Sequence, residues 1–253
     1  MTVPFAERVA LITGAGRGIG RAVALRLAEA GASVALVARS VDQLEETAAT
    51  LRGEGGVALV LPADLADLDA VAEAAATAVK ELGPVDILVN NAAVVEPAGP
   101  TVSTPLAGWS SAFAVNVQAP IRLTLMLLPA MLDRGWGRIV NVSSGIVDHP
   151  GAMVGLNAYA ATKAALEAHT LSLAAEVGGS GVTLNVYRPG SVDTAMQAWF
   201  RAQPPAEIGA ALHQHFQASY EQGALITPER SAQSLATRLA GEATGEIWNA
   251  TDA

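Results

Sequence analysis

The 253-residue chain contains no cysteine, which excludes disulfides and thiolate metal sites and fits a reducing compartment. Aromatic residues make up only 4% and charged residues 15%, against 51% apolar, so a core must be built mainly from Ala, Val and Leu. Basic side chains are outnumbered 15 to 24, and the net charge of −9 disfavours a surface for nucleic acid. The first residues, Met1 to Arg8, lack the basic-then-apolar pattern of a leader. The most apolar stretch, Leu123–Leu132, is short for a membrane span and contains Pro129. These absences point to a soluble cytoplasmic protein with neither membrane nor nucleic acid as partner.

Against this background, apolar β-rich runs recur at Arg8–Thr13, Ser33–Arg39, Val57–Asp64, Val85–Asn91, Gly137–Ser144, Val182–Arg188 and Gly245–Asn249. Their apolar character is continuous rather than alternating, as in strands buried on both faces of a parallel sheet. The segments between them, such as Gly20–Ala30 and Leu65–Leu82, are long enough for crossover helices. Gly31, Gly83 and Gly135 stand where C-terminal helix caps belong. The order predicts an α/β fold, a doubly wound, roughly seven-stranded parallel sheet flanked by helices, in one domain over 1–253. Residues 195–223 interrupt the rhythm with Pro204-Pro205, Trp199 and Phe200. They read either as a helical lid over a pocket or as packing decoration.

Thr13-Gly14-Ala15-Gly16-Arg17-Gly18-Ile19-Gly20 falls between the first strand and the first helix. Such a turn brings backbone close to a pyrophosphate at a helix N-terminus, so a nucleotide is the expected ligand. Its spacing is T-G-x-x-x-G-x-G. The second strand ends at Arg39-Ser40 with no acid before Asp42. An acid there would hold the ribose 2′-hydroxyl of NAD, whereas Arg39, with Arg17, suits the 2′-phosphate of NADP. NADP(H) is therefore favoured over NAD(H), the alternative being that Arg39 is only an exposed strand-end charge. Tyr159 and Lys163 stand four apart in a chain with three tyrosines and two lysines. On a helix they share a face, and an ammonium beside a phenol favours the phenolate, so the Tyr159 pKa is expected to fall.

Together these motifs resemble the short-chain dehydrogenase/reductase family, in its branch of roughly 250-residue chains. The resemblance covers nearly the whole chain. It implies a Rossmann-type domain whose Gly loop, Gly14, Gly16, Arg17, Gly18, Ile19 and Gly20, holds the cofactor with Arg39 and Ser40. Asp64 and Leu65 fall where relatives meet the adenine. Asn90-Asn91-Ala92-Ala93 matches the N-N-A-G motif except that Ala93 replaces Gly, and places Asn91 and Ala92 at the cofactor. Pro189, Gly190, Val192 and Thr194 match the segment at the nicotinamide end. The resemblance assigns catalysis to Asn116, Ser144, Tyr159 and Lys163, with Ser143 as a second candidate hydroxyl. Two departures stand out: the stretch from Ser144 to Tyr159 is about two residues longer than in many relatives, and the tail lacks their Gly-Gly.

The implied chemistry is hydride transfer between NADP(H) and a carbonyl or secondary alcohol, a ketone reductase or alcohol dehydrogenase. Tyr159 would be the proton donor, Ser144 a hydrogen-bond donor to the same oxygen, and Lys163 the residue that tunes Tyr159 and holds ribose. Asn116 would anchor a water near Lys163. Ile146, Val147, Met153, Met196, Trp199 and Phe200 suggest an apolar wall for a hydrophobic ketone or a 3-oxoacyl-type compound, unless they merely pack a lid onto the core. The four histidines show no metal-ligand spacing, and no metal is expected. The Leu123–Leu132 stripe reads as core or as subunit interface, since relatives form homodimers and homotetramers. Two other readings are a non-catalytic cofactor sensor or scaffold on the same fold, and an epimerase or dehydratase of a longer-chain branch.

Overall fold

Five buried residues, Val9–Thr13, form strand β1 in the interior of the sheet, beside its central strand. The computed structural model describes residues 4–252. Strands β2 (Ser33–Ala38), β3 (Ala58–Pro62), β4 (Ile87–Asn90), β5 (Gly137–Val142), β6 (Val182–Arg188) and β7 (Ile247–Asn249) join it in the order β3-β2-β1-β4-β5-β6-β7. Every pairing is parallel. Each of the seven expected strands is present; β6 keeps its expected bounds and the others are shorter by one to three residues. Gly245, expected to open β7, instead takes a left-handed turn at φ 73° and leaves Ile247 to start the ladder.

Helices α1 (Gly18–Glu29), α2 (Val41–Gly53), α3 (Leu68–Leu82), α4 (Leu106–Phe113), α5 (Ala119–Arg134) and α6 (Asn157–Glu176) supply the crossovers on the two faces. One apolar cluster packs α1, α2 and α10 (Pro228–Leu239) on one side, and another packs α3 and α5 on the other. Gly135 ends α5 in the left-handed conformation that glycine adopts without steric cost, at φ 63°. The sheet order reverses direction between β1 and β4, and the loops leaving their carboxyl ends open a crevice there.

The structure extends one apolar stretch into a longer helix and shows the expected helices in the 195–223 segment. The apolar stretch expected over Leu123–Leu132 belongs to a helix that continues from Leu106 to Arg134, with a wider π turn at Ala114–Gln118. At 29 residues it is long and apolar enough to cross a membrane, yet it is a core helix by packing, with 56% of its apolar window buried within the fold. Pro129 does not stop it, because Pro129 and Leu125 both face outward, where the carbonyl left unpaired by the missing N–H is solvated. Residues 195–223 are helical, as α7 (Ala195–Ala202), α8 (Pro205–Ile208) and α9 (Ala210–Glu221).

Candidate active site

The buried stripe of α6 runs Tyr159, Lys163, Leu166, Glu167, Thr170 and Ala174, a helical spacing that carries three polar groups into the interior. The helix is pinned to the sheet through an amide chain. Asn90 Nδ2 donates to Asn141 Oδ1 at 2.8 Å, and Asn141 Nδ2 donates to Thr170 Oγ1 at 2.8 Å. Buried polar groups must find partners, and these three amide and hydroxyl side chains fix the register of α6 over β4 and β5. Tyr159 is thereby held above the carboxyl end of β5, where Ser144 leaves the strand.

The Ser144 hydroxyl accepts from Ile146 N at 3.3 Å and stands beside the Tyr159 phenol. Ser143 points elsewhere: it is 2% exposed and its Oγ has no partner among the described residues. Of the two serines, Ser144 meets Tyr159. Asn116, in the π turn, is fully buried. Its Nδ2 donates to Val94 O at 2.8 Å and to Thr162 Oγ1 at 3.0 Å, while its Oδ1 accepts from Val94 N at 2.8 Å. Thr162 in turn donates to Tyr159 O at 2.8 Å, so Asn116 connects the long helix to the turn of α6 that bears Tyr159.

Lys163 is 1% exposed, and its Nζ donates to Val142 O at 2.7 Å. It sits 5.7 Å from the centroid of the Tyr159 ring. The expected lowering of the Tyr159 pKa does not occur in the protein alone. Burial pushes the phenol up to about 12, only partly offset by the neighbouring Ser144 hydroxyl. Burial also lowers Lys163 to about 8, against the pull of Glu167 one turn further on. The physical reason is that desolvation acts on both groups, while the ammonium is engaged by a backbone carbonyl rather than by the phenolic oxygen.

The Gly loop is fastened before any ligand arrives. Gly14 N donates to Val37 O at 2.7 Å, and Asn91 Nδ2 donates to Thr13 O at 2.9 Å. Thr13 Oγ1 accepts from Asn91 N at 3.0 Å and Ala92 N at 3.1 Å, which joins the loops after β1 and β4. Asn91 therefore shapes the loop through its side chain. A Cβ at Gly20 would lie 2.2 Å from Gly14 O and 2.5 Å from Asn91 Nδ2, so backbone packs where any side chain would stand. Gly18 opens α1 at φ 54°, and its α-carbon faces the Thr194 methyl. No acid occupies the first turn of α1. Such a bare, close-packed helix N-terminus fits a pyrophosphate.

Around this loop the remaining residues divide into exposed and engaged groups. Arg17 and Arg39 are both exposed at the crevice rim, and neither forms an ion pair among the described residues. Ser40 caps α2, accepting from Gln43 N at 3.4 Å. Asp64 is exposed beyond β3 and accepts from Ala66 N at 3.0 Å, while Leu65 is buried. Pro189 and Gly190 follow β6 directly; Val192 is buried and bridges Ile226. Thr194 stands at the start of α7. Ile19 packs against the core on the α1 face.

Above Tyr159, α7 to α9 and the β5–α6 loop form a third apolar cluster with Val95, Ile146, Leu156, Phe200 and Phe216. Phe200 and Phe216 stack at 4.1 Å with planes 2° apart, and Trp199 meets Phe200 edge-on at 5.0 Å. Met153, Met196 and Val147 line the same cluster.

The topology, the fastened Gly loop and the Ser144–Tyr159–Lys163 arrangement define a nicotinamide-dependent oxidoreductase of the doubly wound class. The profile of the short chain dehydrogenase family matches residues 8–205, and the chain belongs to that family. It is an NAD(P)-dependent short-chain dehydrogenase/reductase. It is 41% identical over 193 residues to a short chain dehydrogenase of Pseudocercospora fijiensis, covering 76% of this chain and 62% of that relative, less than two thirds of its length. It is 38% identical over 190 residues to the 2,3-dihydro-2,3-dihydroxybenzoate dehydrogenase of Bacillus subtilis, covering 75% and 72% respectively. The structure of L-sorbose reductase from Gluconobacter frateurii, complexed with NADPH and L-sorbose, superposes with a TM-score of 0.87 at 28% identity, covering 98% of this chain and 97% of that one. Solved relatives carry NADP more often than NAD.

Sequence reasoning placed the loop of Asp148 beside the substrate pocket but did not find Thr162, Glu167 or Arg188 as parts of this neighbourhood. Thr162 lay within the Tyr159-to-Lys163 interval and Arg188 directly before Pro189, but their partners are set by packing, and spacing carries no signal for them.

Proposed function

We propose that this enzyme transfers a hydride between NADP(H) and a hydrophobic ketone or secondary alcohol, with 3-oxoacyl-type compounds within its range. The observation that carries the chemistry is the Ser144 hydroxyl beside the Tyr159 phenol, with Lys163 buried 5.7 Å from the centroid of the ring. When bound, the nicotinamide supplies or accepts the hydride. In the reductive direction Tyr159 gives its proton to the developing substrate alkoxide, and Ser144 donates a hydrogen bond to the same oxygen. A phenol that is held protonated is poised as the acid; for alcohol oxidation it must lose its proton, which requires more positive potential than Lys163 supplies in the protein alone. Lys163 would hold the ribose hydroxyls. The Asn116 side-chain amide is fully engaged with Val94 and Thr162, so a water at Asn116 would be held through its backbone carbonyl in the π turn.

Free Arg17 and Arg39 at the crevice rim, with no acid at the end of β2, support NADP(H) over NAD(H). The Gly loop, with Asp64, Leu65 and the Pro189–Thr194 segment, would hold the rest of the cofactor. The cluster of Ile146, Met153, Met196, Trp199 and Phe200 supports a hydrophobic substrate and casts residues 195–223 as its lid. Exposed Leu125 and Leu132 on α5 support a homodimer or homotetramer built on that helix. The test is a panel of ketones and alcohols assayed with NADPH and NADH side by side. Turnover of hydrophobic ketones with NADPH is expected; a strong NADH preference overturns the cofactor reading, and turnover confined to sugars overturns the substrate reading.

A further inference from the structure

Arg188, the last residue of β6, is a buried arginine between three elements of the active site. Its Nε and Nη2 donate to the two carboxylate oxygens of Glu167 on α6, at 2.9 and 2.8 Å. Its Nη1 donates to Asp148 Oδ2 at 2.5 Å. Glu167 is itself buried, one helical turn beyond Lys163. Asp148 lies in the β5–α6 loop, four residues after Ser144 and two after Ile146, and its side chain is 54% exposed. Directly after Arg188 the chain enters Pro189-Gly190, the segment expected at the nicotinamide.

The planar guanidinium can bridge two carboxylates in fixed directions, which an ammonium cannot. Its pairing with Glu167 is bidentate and shielded from water, so the cation is held in one place on the α6 side. The remaining Nη1 is then aimed at the loop. The loop has few other ties: its two short 3-10 turns, Gly145–Val147 and Pro150–Ala152, are mostly exposed, and Ile146 is its buried residue between Ser144 and Met153. Ile146 N is the donor to Ser144 Oγ, so the loop's position determines where that hydroxyl stands relative to Tyr159.

We propose that Arg188 and Asp148 are positioning residues for the reaction. Arg188 is anchored on the Tyr159–Lys163 helix by Glu167 and latches the substrate-side loop by Asp148, so that Ser144 and Ile146 keep their place against Tyr159. The latch rests on the proposed carbonyl–alcohol reaction for its kinetic effect, but not for its structural one. Because Asp148 is half exposed, its removal should leave the fold intact.

The experiment uses the full chain with Asp148→Ala, Asp148→Glu and Arg188→Lys, the carbonyl that wild type reduces best, and hydrogen–deuterium exchange of the ligand-free protein. Asp148→Ala should raise the KM for the carbonyl about fivefold, the scale of one partly exposed ion pair, with cofactor KM unchanged. Amide exchange over residues 145–156 should quicken, and Asp148→Glu should restore both properties. Arg188→Lys should reproduce the rise in carbonyl KM; if it does not fold, Asp148→Ala decides. Unchanged exchange in the 145–156 segment overturns the latch even if no carbonyl is turned over, an outcome that would by itself defeat the functional reading. Parallel rises in the carbonyl and cofactor KM also overturn it, since they would report general loosening.

Discussion

Lys163 stands fully buried with one backbone partner, and its removal separates stability from activity. Burial lowers its pKa from 10.5 to about 8. A difference of about 2.5 in pKa, at about 1.4 kcal/mol each, means that keeping the ammonium charged at pH 7 costs the fold on the order of 3 kcal/mol. Lys163→Met removes that cost and fills the same volume. It also leaves Val142 O without its donor, a loss of about 1–3 kcal/mol. Glu167 keeps its bidentate Arg188 and is not stranded. The net expectation is a ligand-free variant about 0–2 kcal/mol more stable than wild type at pH 7, with turnover lost. The pH dependence gives an independent check. Between about 8 and 10.5 the unfolded lysine holds its proton while the folded one has released it, so wild-type stability should rise with pH. Tyr159 opposes this only above pH 10, where the unfolded phenol ionises before the buried one at about 12 and stability falls. Urea unfolding of both proteins from pH 7 to 9.5 should show a rising wild-type curve approaching that of Lys163→Met. A flat wild-type curve, or a variant more than about 2 kcal/mol less stable at pH 7, refutes the reasoning.

Three further outcomes follow from the site. Tyr159→Phe should lower turnover about 10²- to 10⁴-fold while NADPH binding, read by fluorescence titration, is retained. Arg39→Ala should raise the KM for NADPH about tenfold and leave that for NADH within about twofold, measured by initial rates. Gly20→Ala places a methyl 2.2 Å from Gly14 O, so it should reduce stability by about 1–3 kcal/mol in denaturant melts and weaken cofactor binding.

Much of the architecture was legible in the chain because parallel strands covered on both faces must be apolar along their length. Val9–Thr13 and Val182–Arg188 are buried at every position; the first reads as a nearly continuous apolar run, whereas the second also carries Thr183, Asn185 and Arg188 into the interior. The long helix was underestimated because its outward Pro129 reads as a breaker, and because Asn116 and Gln118 interrupt its apolar pattern. The neighbours of Tyr159 were legible as motif residues. The direction of its pKa was not, since proximity on a helix face does not tell which partner the ammonium chooses or how much water burial removes.

Local chemistry was determined by sequence alone. The glycines after β1, the four-residue spacing of Tyr159 and Lys163, and the absence of an acid at the end of β2 are constraints within a few bonds, and they point to a nicotinamide-dependent enzyme before any fold is seen. Tertiary structure alone decided that Ser144 rather than Ser143 meets Tyr159, that Lys163 faces Val142 O, and that Arg188 ties Glu167 to Asp148 across separations of 21 and 40 residues. Those choices depend on how α6 is registered over the sheet, and that register is set by buried amides whose partners lie far apart in the chain.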